Sequence, residues 1–150
     1  MIINWEIKKF EELASLELYN ILRLRAEVFV VEQKCPYQDV DGKDLKSFHL
    51  MGTDETSELI VYSRIVPSGI SFPEVSIGRV VSSPKVRGTG AGRALLQKSL
   101  DVINEKFGNI PIRIGAQCYL KKFYENFGFV SVGDEYLEDD ILHVEMLKAD

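Results

Sequence analysis

Residues 80–93 read Val-Val-Ser-Ser-Pro-Lys-Val-Arg-Gly-Thr-Gly-Ala-Gly-Arg: a β-branched run, a short loop, then glycines at alternate positions, Gly88, Gly90 and Gly92. Beyond them Leu96, Leu100, Ile103 and Phe107 recur at helical spacing, and Gly108 supplies a stop. A strand therefore feeds a glycine turn that opens directly onto an amphipathic helix. The first-turn N–H groups of a helix have no intrahelical partner and lie at the positive end of its dipole. Glycine lets a diphosphate reach them without an intervening Cβ and permits positive φ in the turn. Arg87 and Arg93 add guanidinium forks that suit phosphate oxygens. Arg87, Gly88, Thr89, Gly90, Ala91, Gly92 and Arg93 together read as a pyrophosphate cradle.

Two other phosphate loops do not fit. A P-loop carries Lys-Ser or Lys-Thr after its last glycine, where this chain has Arg93-Ala94. A dinucleotide fold has G-x-G-x-x-G at its first strand turn and an acidic residue about 20 positions later. Here the turn is mid-chain, the spacing is G-x-G-x-G, and Asp101 and Glu105 come too early.

The chain has 150 residues, 45% hydrophobic and 27% charged, which suits one domain with one core. No linker, repeat or low-complexity run divides it, so residues 1–150 read as a single domain. Without an 18-residue apolar tract or a leader pattern, the expectation is a soluble cytoplasmic protein with no membrane partner. The two cysteines, Cys35 and Cys118, have no histidine at ligand spacing, so neither a disulfide framework nor a metal site is expected. A net charge of −5 disfavours nucleic acid and favours a cationic small molecule.

The expected elements are a strand at Ile2–Lys8 and a helix from the N-cap Ser15 to about Gln33, with Leu18, Leu22, Ala26, Phe29 and Val30 on its apolar stripe. An irregular acidic loop follows at Asp39–Asp44. Strands are expected near Ser47–Thr53, Leu59–Pro67 and Phe72–Ser82, the first two joined by a turn at Asp54–Ser57. After the glycine helix come a strand at Pro111–Gly115, a helix at Gln117–Phe127, and an antiparallel pair at Phe129–Val132 and Ile141–Lys148. The order describes a mixed α/β sheet flanked by helices.

The turn resembles motif A of the GNAT acyltransferase superfamily, Arg/Gln-x-x-Gly-x-Gly/Ala, through Arg87, Gly90 and Gly92. The segment Ala116–Phe129, with Phe123-Tyr124 followed by Gly128-Phe129, is similar to motif B of that superfamily. Leu24–Tyr37, the Asp39-x-Asp41-Gly42-x-Asp44 run, His49, Ile77–Val81 and Tyr136–Met146 narrow the likeness to its ElaA-type branch; Asp140 departs from the glycine that branch tends to have. The resemblance implies a mostly antiparallel sheet with one parallel strand pair splayed apart, the gap lying between Ile77–Val81 and Ile112–Gly115. It implies acetyl-CoA as acyl donor, with Val80 and Val81 pairing with pantetheine through their backbone and Gln117 among the coenzyme contacts. Tyr124 becomes the acid that protonates the leaving thiolate.

Acetyl transfer to a primary amine by direct attack requires the ammonium, with a pKa of about 10.4, to lose a proton first. Glu74 and His143 are the candidate bases. His49, within an apolar run, reads as a satisfied core histidine, and the acidic runs Asp39–Asp44 and Glu135–Asp140 as solvated loops, with Glu135, Glu138, Asp139 and Asp140 beside His143 expected to draw in a cationic amine. The acceptor is expected to be a small or peptidic amine, and a homodimer stays open. The alternative is a non-catalytic acyl-CoA sensor, which would need neither Tyr124 nor acidic surroundings.

Overall fold

The computed structural model describes residues 1–149. Its strands are β1 (Asn4–Lys9), β2 (Phe48–Thr53), β3 (Leu59–Val66), β4 (Ser76–Ser82), β5 (Ile112–Gln117), β6 (Val130–Glu138) and β7 (Ile141–Lys148). Its helices are α1 (Ser15–Arg25), α2 (Ala91–Phe107) and α3 (Lys121–Glu125). Strands β1-β2-β3-β4 form one sheet and β5-β7-β6 another, and every ladder in both is antiparallel.

The expected parallel pair is not a ladder. Between β4 and β5 there is a single parallel bridge, Val75 to Ile112, with the Arg113 N–H donating to the Val75 carbonyl at 3.0 Å. The two sheets therefore meet at the start of these strands.

All eight residues of β3 are buried, as befits a strand with partners on both edges and helices over both faces. Leu50 and Met51, neighbours on β2, belong to different core clusters because successive strand side chains point to opposite faces. Leu50 joins Leu95, Leu96 and Ile103 of α2; Met51 joins Ile21 and Leu24 of α1.

Several boundaries differ from the expected ones. Ala14, not Ser15, caps α1, its N–H donating to Glu17 at 2.8 Å. The helix does not run unbroken to Gln33: at Ala26 it widens into a π-helix ending at Glu32, with Gln33 N–H donating to the Val28 carbonyl. Its buried residues are Ile21, Leu24, Arg25 and Val28, and Ala26 is exposed. β4 starts at Ser76 rather than Phe72. β5 extends to Gln117, where pairing with His143 keeps the chain extended, so the following helix shrinks to α3 behind a 3₁₀ turn at Cys118–Leu120. β6 runs on to Glu138, so Glu135–Glu138 is strand rather than loop; its exposed charges suit an edge strand. A two-residue turn of Asp139 (φ +52°) and Asp140 (φ +62°) closes it onto β7.

The Asp39–Asp44 run is not a solvated loop. Arg25, 0% exposed, donates from Nε to Asp39 Oδ2 at 2.8 Å and from Nη1 to Asp44 Oδ1 at 2.7 Å. Arg64 donates from Nη1 to Asp41 Oδ1 at 2.8 Å and to the same Asp44 oxygen at 3.0 Å. Arg79 Nη2 reaches the Asp39 carbonyl at 2.9 Å. Beside them His49 is a core histidine with both nitrogens used: Nε2–H donates to the Asp44 carbonyl at 2.9 Å, and Nδ1 accepts from the Tyr62 hydroxyl at 2.7 Å.

Removing one partner leaves buried charge uncompensated. Arg25→Leu is expected to cost about 3–5 kcal/mol of stability, read from the urea midpoint. Burial opposes ionisation of Asp41, but the hydrogen bonds and charge of Arg64 prevail and bring its pKa down to about 2; Asp44 is lowered by Arg25 and Arg64 against the same opposition. Carboxylates depressed in the folded state stabilise it above their unfolded value of about 3.9 and cease to as pH falls towards the folded value. The thermal midpoint should therefore drop between about pH 4 and pH 2, and Asp41→Asn should flatten that drop.

Candidate active site

The site begins with an irregularity in β4. Tyr62 pairs with Val81 and Arg64 with Gly78, so Ser63 faces two residues, Arg79 and Val80. Arg79 takes up the extra length in a left-handed conformation, φ +51°. The bulge releases β4 from strict pairing just where Val80 and Val81 line a cleft of about 670 Å³.

Past β4, a 3₁₀ turn at Pro84–Val86 leads to the glycines. Gly88 (φ +78°) and Gly90 (φ +87°) are both left-handed, a conformation that costs other residues about 1–2 kcal/mol. Gly90 caps α2, and the first helical bond runs from the Ala94 N–H to the Gly90 carbonyl at 3.1 Å. The N–H groups of Ala91, Gly92 and Arg93 precede that bond and stay available. A Cβ on Gly90 would touch nothing within 4 Å, so the space in front of the turn is open. Gly88, Gly90, Ala91 and Gly92 line the cleft; Thr89 and Arg93 do not. Thr89 Oγ1 donates instead to the Val86 carbonyl.

Arg87 lines the cleft but is already engaged. Both its terminal nitrogens donate to Glu32, at 2.5 and 2.6 Å. Glu32 ends the π-helix, and the chain beyond it continues across the cleft. The side chains of Gln33 and Gln117 meet at 3.4 Å. The Cys35 thiol donates to the Asp139 carbonyl at 3.3 Å, and the Tyr37 hydroxyl to Asp140 Oδ2 at 2.7 Å. Residues 32–37 thus strap the glycine turn, β5 and the β6–β7 turn together. None of these partners was visible locally, since they lie 55 to 104 positions apart.

Tyr124 on α3 is 6% exposed and lines the same cleft. Its ring is held edge-on by Phe123 and Phe129, and among the described residues its hydroxyl has no hydrogen-bond partner. Burial, with a smaller contribution from Tyr119, raises its pKa above the ordinary tyrosine value, so the phenol carries its proton at neutral pH.

The two candidate bases separate. Glu74 lies outside the cleft, next to the Val75–Ile112 bridge, where both its oxygens accept from Arg113 at 3.0 and 3.2 Å. That pairing lowers its pKa and weakens it as a base. His143 lies in the cleft, 6% exposed, between Gln117 of β5 and Tyr136 of β6. Cys118 is not part of the cleft, and burial with Glu135 nearby raises its thiol. A second cavity, about 440 Å³, lies behind α2 among residues such as Asn104, Asn126 and Lys148 and contains none of these groups.

Known proteins share this architecture. The structure matches an acyl-CoA N-acyltransferase from Pseudomonas aeruginosa with a TM-score of 0.93 and 43% identity, over 99% of this chain and 100% of that one. Protein ElaA of Escherichia coli is 41% identical over 148 residues, 97% of this chain and 96% of its own, and its crystal structure superposes with a TM-score of 0.90. An aminoglycoside 6'-N-acetyltransferase complexed with coenzyme A shares the fold at 16% identity and a TM-score of 0.70. The family model described as "Acetyltransferase (GNAT) domain" matches residues 21–149. The chain belongs to the GNAT acetyltransferase family, with ElaA among its relatives.

Proposed function

We propose that the protein is an N-acetyltransferase that moves an acetyl group from acetyl-CoA to a primary amine by direct attack on the thioester. Membership of the family supports acyl transfer from an acyl-CoA, and a coenzyme A complex exists for a protein of the same fold. The observation that carries the finer reading is the convergence of two unsatisfied sets of donors on one cleft. These are the first-turn N–H groups of α2 behind Gly88 and Gly90, and the buried Tyr124 hydroxyl.

In this reading the pyrophosphate sits on the N–H groups of Ala91 and Gly92, and Arg87 turns from Glu32 to the phosphates or bridges both. Val80, within the bulge, and Val81 beside it offer backbone groups on the edge of β4 away from β3 to the pantetheine arm as a short added strand. An N–H there donates to the thioester oxygen as negative charge develops on it. The Val75–Ile112 bridge is the one pairing between the two sheets among the described residues, and in this reading the arm lies between β4 and β5 beyond it. Gln117 faces the cleft from the β5 side. Tyr124 then gives its proton to the thiolate, whose conjugate acid lies near about 8.5, well below the raised phenol. The thiols Cys35 and Cys118 are free, which fits a reducing compartment such as the cytoplasm.

Gly90→Val puts a branched side chain into the open space before the turn and should weaken acetyl-CoA binding at least about tenfold, the worth of one charge-assisted hydrogen bond. Calorimetry on the folded variant measures it; parent-like affinity would place the phosphates elsewhere. Tyr124→Phe should lower kcat by about 10²–10⁴-fold with little change in coenzyme affinity. Unchanged kcat where chemistry limits turnover would remove Tyr124 from the mechanism.

A further inference from the structure

Chemistry on an amine needs somewhere for its proton to go, and the end of the cleft opposite the glycine turn supplies one group for this. The His143 ring stacks on Tyr136, with centroids 5.8 Å apart and planes 24° from parallel. Its Nδ1 lies 2.7 Å from the Ile141 carbonyl, and a carbonyl only accepts, so Nδ1 carries the proton. In the neutral ring Nε2 is then an unprotonated lone pair. It makes no hydrogen bond among the described residues; the nearest charge is Glu138 Oε2 at 3.7 Å. A buried imidazole with one nitrogen held by its own strand and the other open to a cavity is set up to accept a proton from what enters.

Most other groups at this end are committed, the exception being the Asp139 carboxylate, which lines the cleft with no hydrogen bond or ion pair among the described residues. Asp39 pairs with Arg25 and Arg79, the Cys35 thiol with the Asp139 carbonyl, and Tyr37 with Asp140. Glu138 pairs with no lysine or arginine among the described residues, and its side chain is 59% exposed. Arg79, the basic group at this end, is held by Asp39 and Asp41. The charge left over at this end is therefore negative, while at the phosphate end Arg87 is balanced by Glu32.

We propose that His143 Nε2 is the base of the transfer and that Glu138 beside it selects an acceptor arriving as an alkylammonium. The proposal rests on the acyl-transfer reading above and names the residues of its acceptor half. The ammonium docks against Glu138 and gives one proton to Nε2. The freed lone pair forms the C–N bond at the thioester carbonyl, the C–S bond breaks, and the thiolate takes the Tyr124 proton. The second proton leaving nitrogen restores the phenol through solvent, and His143 releases its own to solvent. The products are the amide, free coenzyme A thiol and one proton. Glu138 and Tyr136 face the ring from β6; Cys35, Tyr37, Asp139 and Asp140 are the other titratable groups that meet at the hairpin turn.

The chain has two histidines, so ¹⁵N-imidazole NMR reports His143 directly, with buried His49 as internal control. In the protein saturated with coenzyme A, n-butylamine should move the His143 signals and leave His49 still, n-butanol should move neither, and Glu138→Gln should weaken the response about fivefold, the scale of an exposed ion pair. A His143 signal indifferent to butylamine, or equally sensitive to butanol, overturns the proposal. Kinetics supply the second test, with acetyl-CoA and two acceptors: n-butylamine, charged at neutral pH, and O-methylhydroxylamine, uncharged there. His143→Gln should lower kcat for butylamine about 10²-fold, the deficit shrinking as pH rises towards the amine pKa of about 10.4, and should alter O-methylhydroxylamine turnover less than about threefold. Equal losses on both acceptors would make His143 structural and overturn its role as base. If the parent turns over neither amine, the NMR titration decides. Coenzyme affinity, measured by calorimetry, tests the donor half separately. Coenzyme binding with a silent His143 refutes only the acceptor assignment, and absent coenzyme binding refutes the reading beneath it.

Discussion

One carboxylate oxygen, Asp44 Oδ1, accepts from both Arg25 and Arg64, and the geometry of the cleft depends on that shared bond. Arg25 comes from the end of α1, Arg64 from β3, and Asp39, Asp41 and Asp44 from the loop between α1 and β2. Arg79, the residue that takes the extra length of β4, closes the same network through Asp39 and Asp41. Three cations and three anions balance there, an arrangement that specifies a conformation more surely than it adds stability. A shift of the loop would strand buried charge, so the bulge and the strap over the cleft are held to one course.

Function follows from what that course leaves unpaired. The bulge interrupts the β3–β4 ladder beside the cleft, the left-handed glycines expose the first-turn N–H groups of α2, and among the described residues the Val75–Ile112 bridge is all that pairs the two sheets. Each is a local loss of hydrogen bonding that an amide-bearing, phosphate-bearing ligand can repair. The cleft is also polar along its length, with Arg87 at one end and Glu138 and His143 at the other. The strap of residues 32–37 spans both ends, pairing Glu32 with Arg87 and Tyr37 with Asp140.

Much of this was legible in the chain because it is encoded over short spans. The strand–glycine–helix order at 80–107 needs only local periodicity and the φ freedom of Gly88 and Gly90, and it appears where expected. Tyr124 was marked by its place in the Phe123–Phe129 segment, and it lines the cleft. Boundaries failed where pairing partners decided them. Gln117 is strand because β7 claims it, Glu135–Glu138 is strand for the same reason, and the π-helix after Arg25 leaves no mark in the apolar periodicity.

By itself the sequence determined the order of elements, the strand–glycine–helix turn and the family, since glycine positions and apolar spacing act through bonds within a few residues. Only the tertiary structure decided which charges are free. Glu74 and His143 look alike on paper, each a polar residue in or beside a strand, and the fold gives one to Arg113 while leaving the other's Nε2 open to the cleft. The acidic runs divide in the same way: Asp39–Asp44 is consumed by three arginines from α1, β3 and β4, whereas Glu138 and Asp139 pair with no lysine or arginine among the described residues. The reason is that an ionic group's chemistry depends on partners brought within about 4 Å by folding, however far away they lie in the chain.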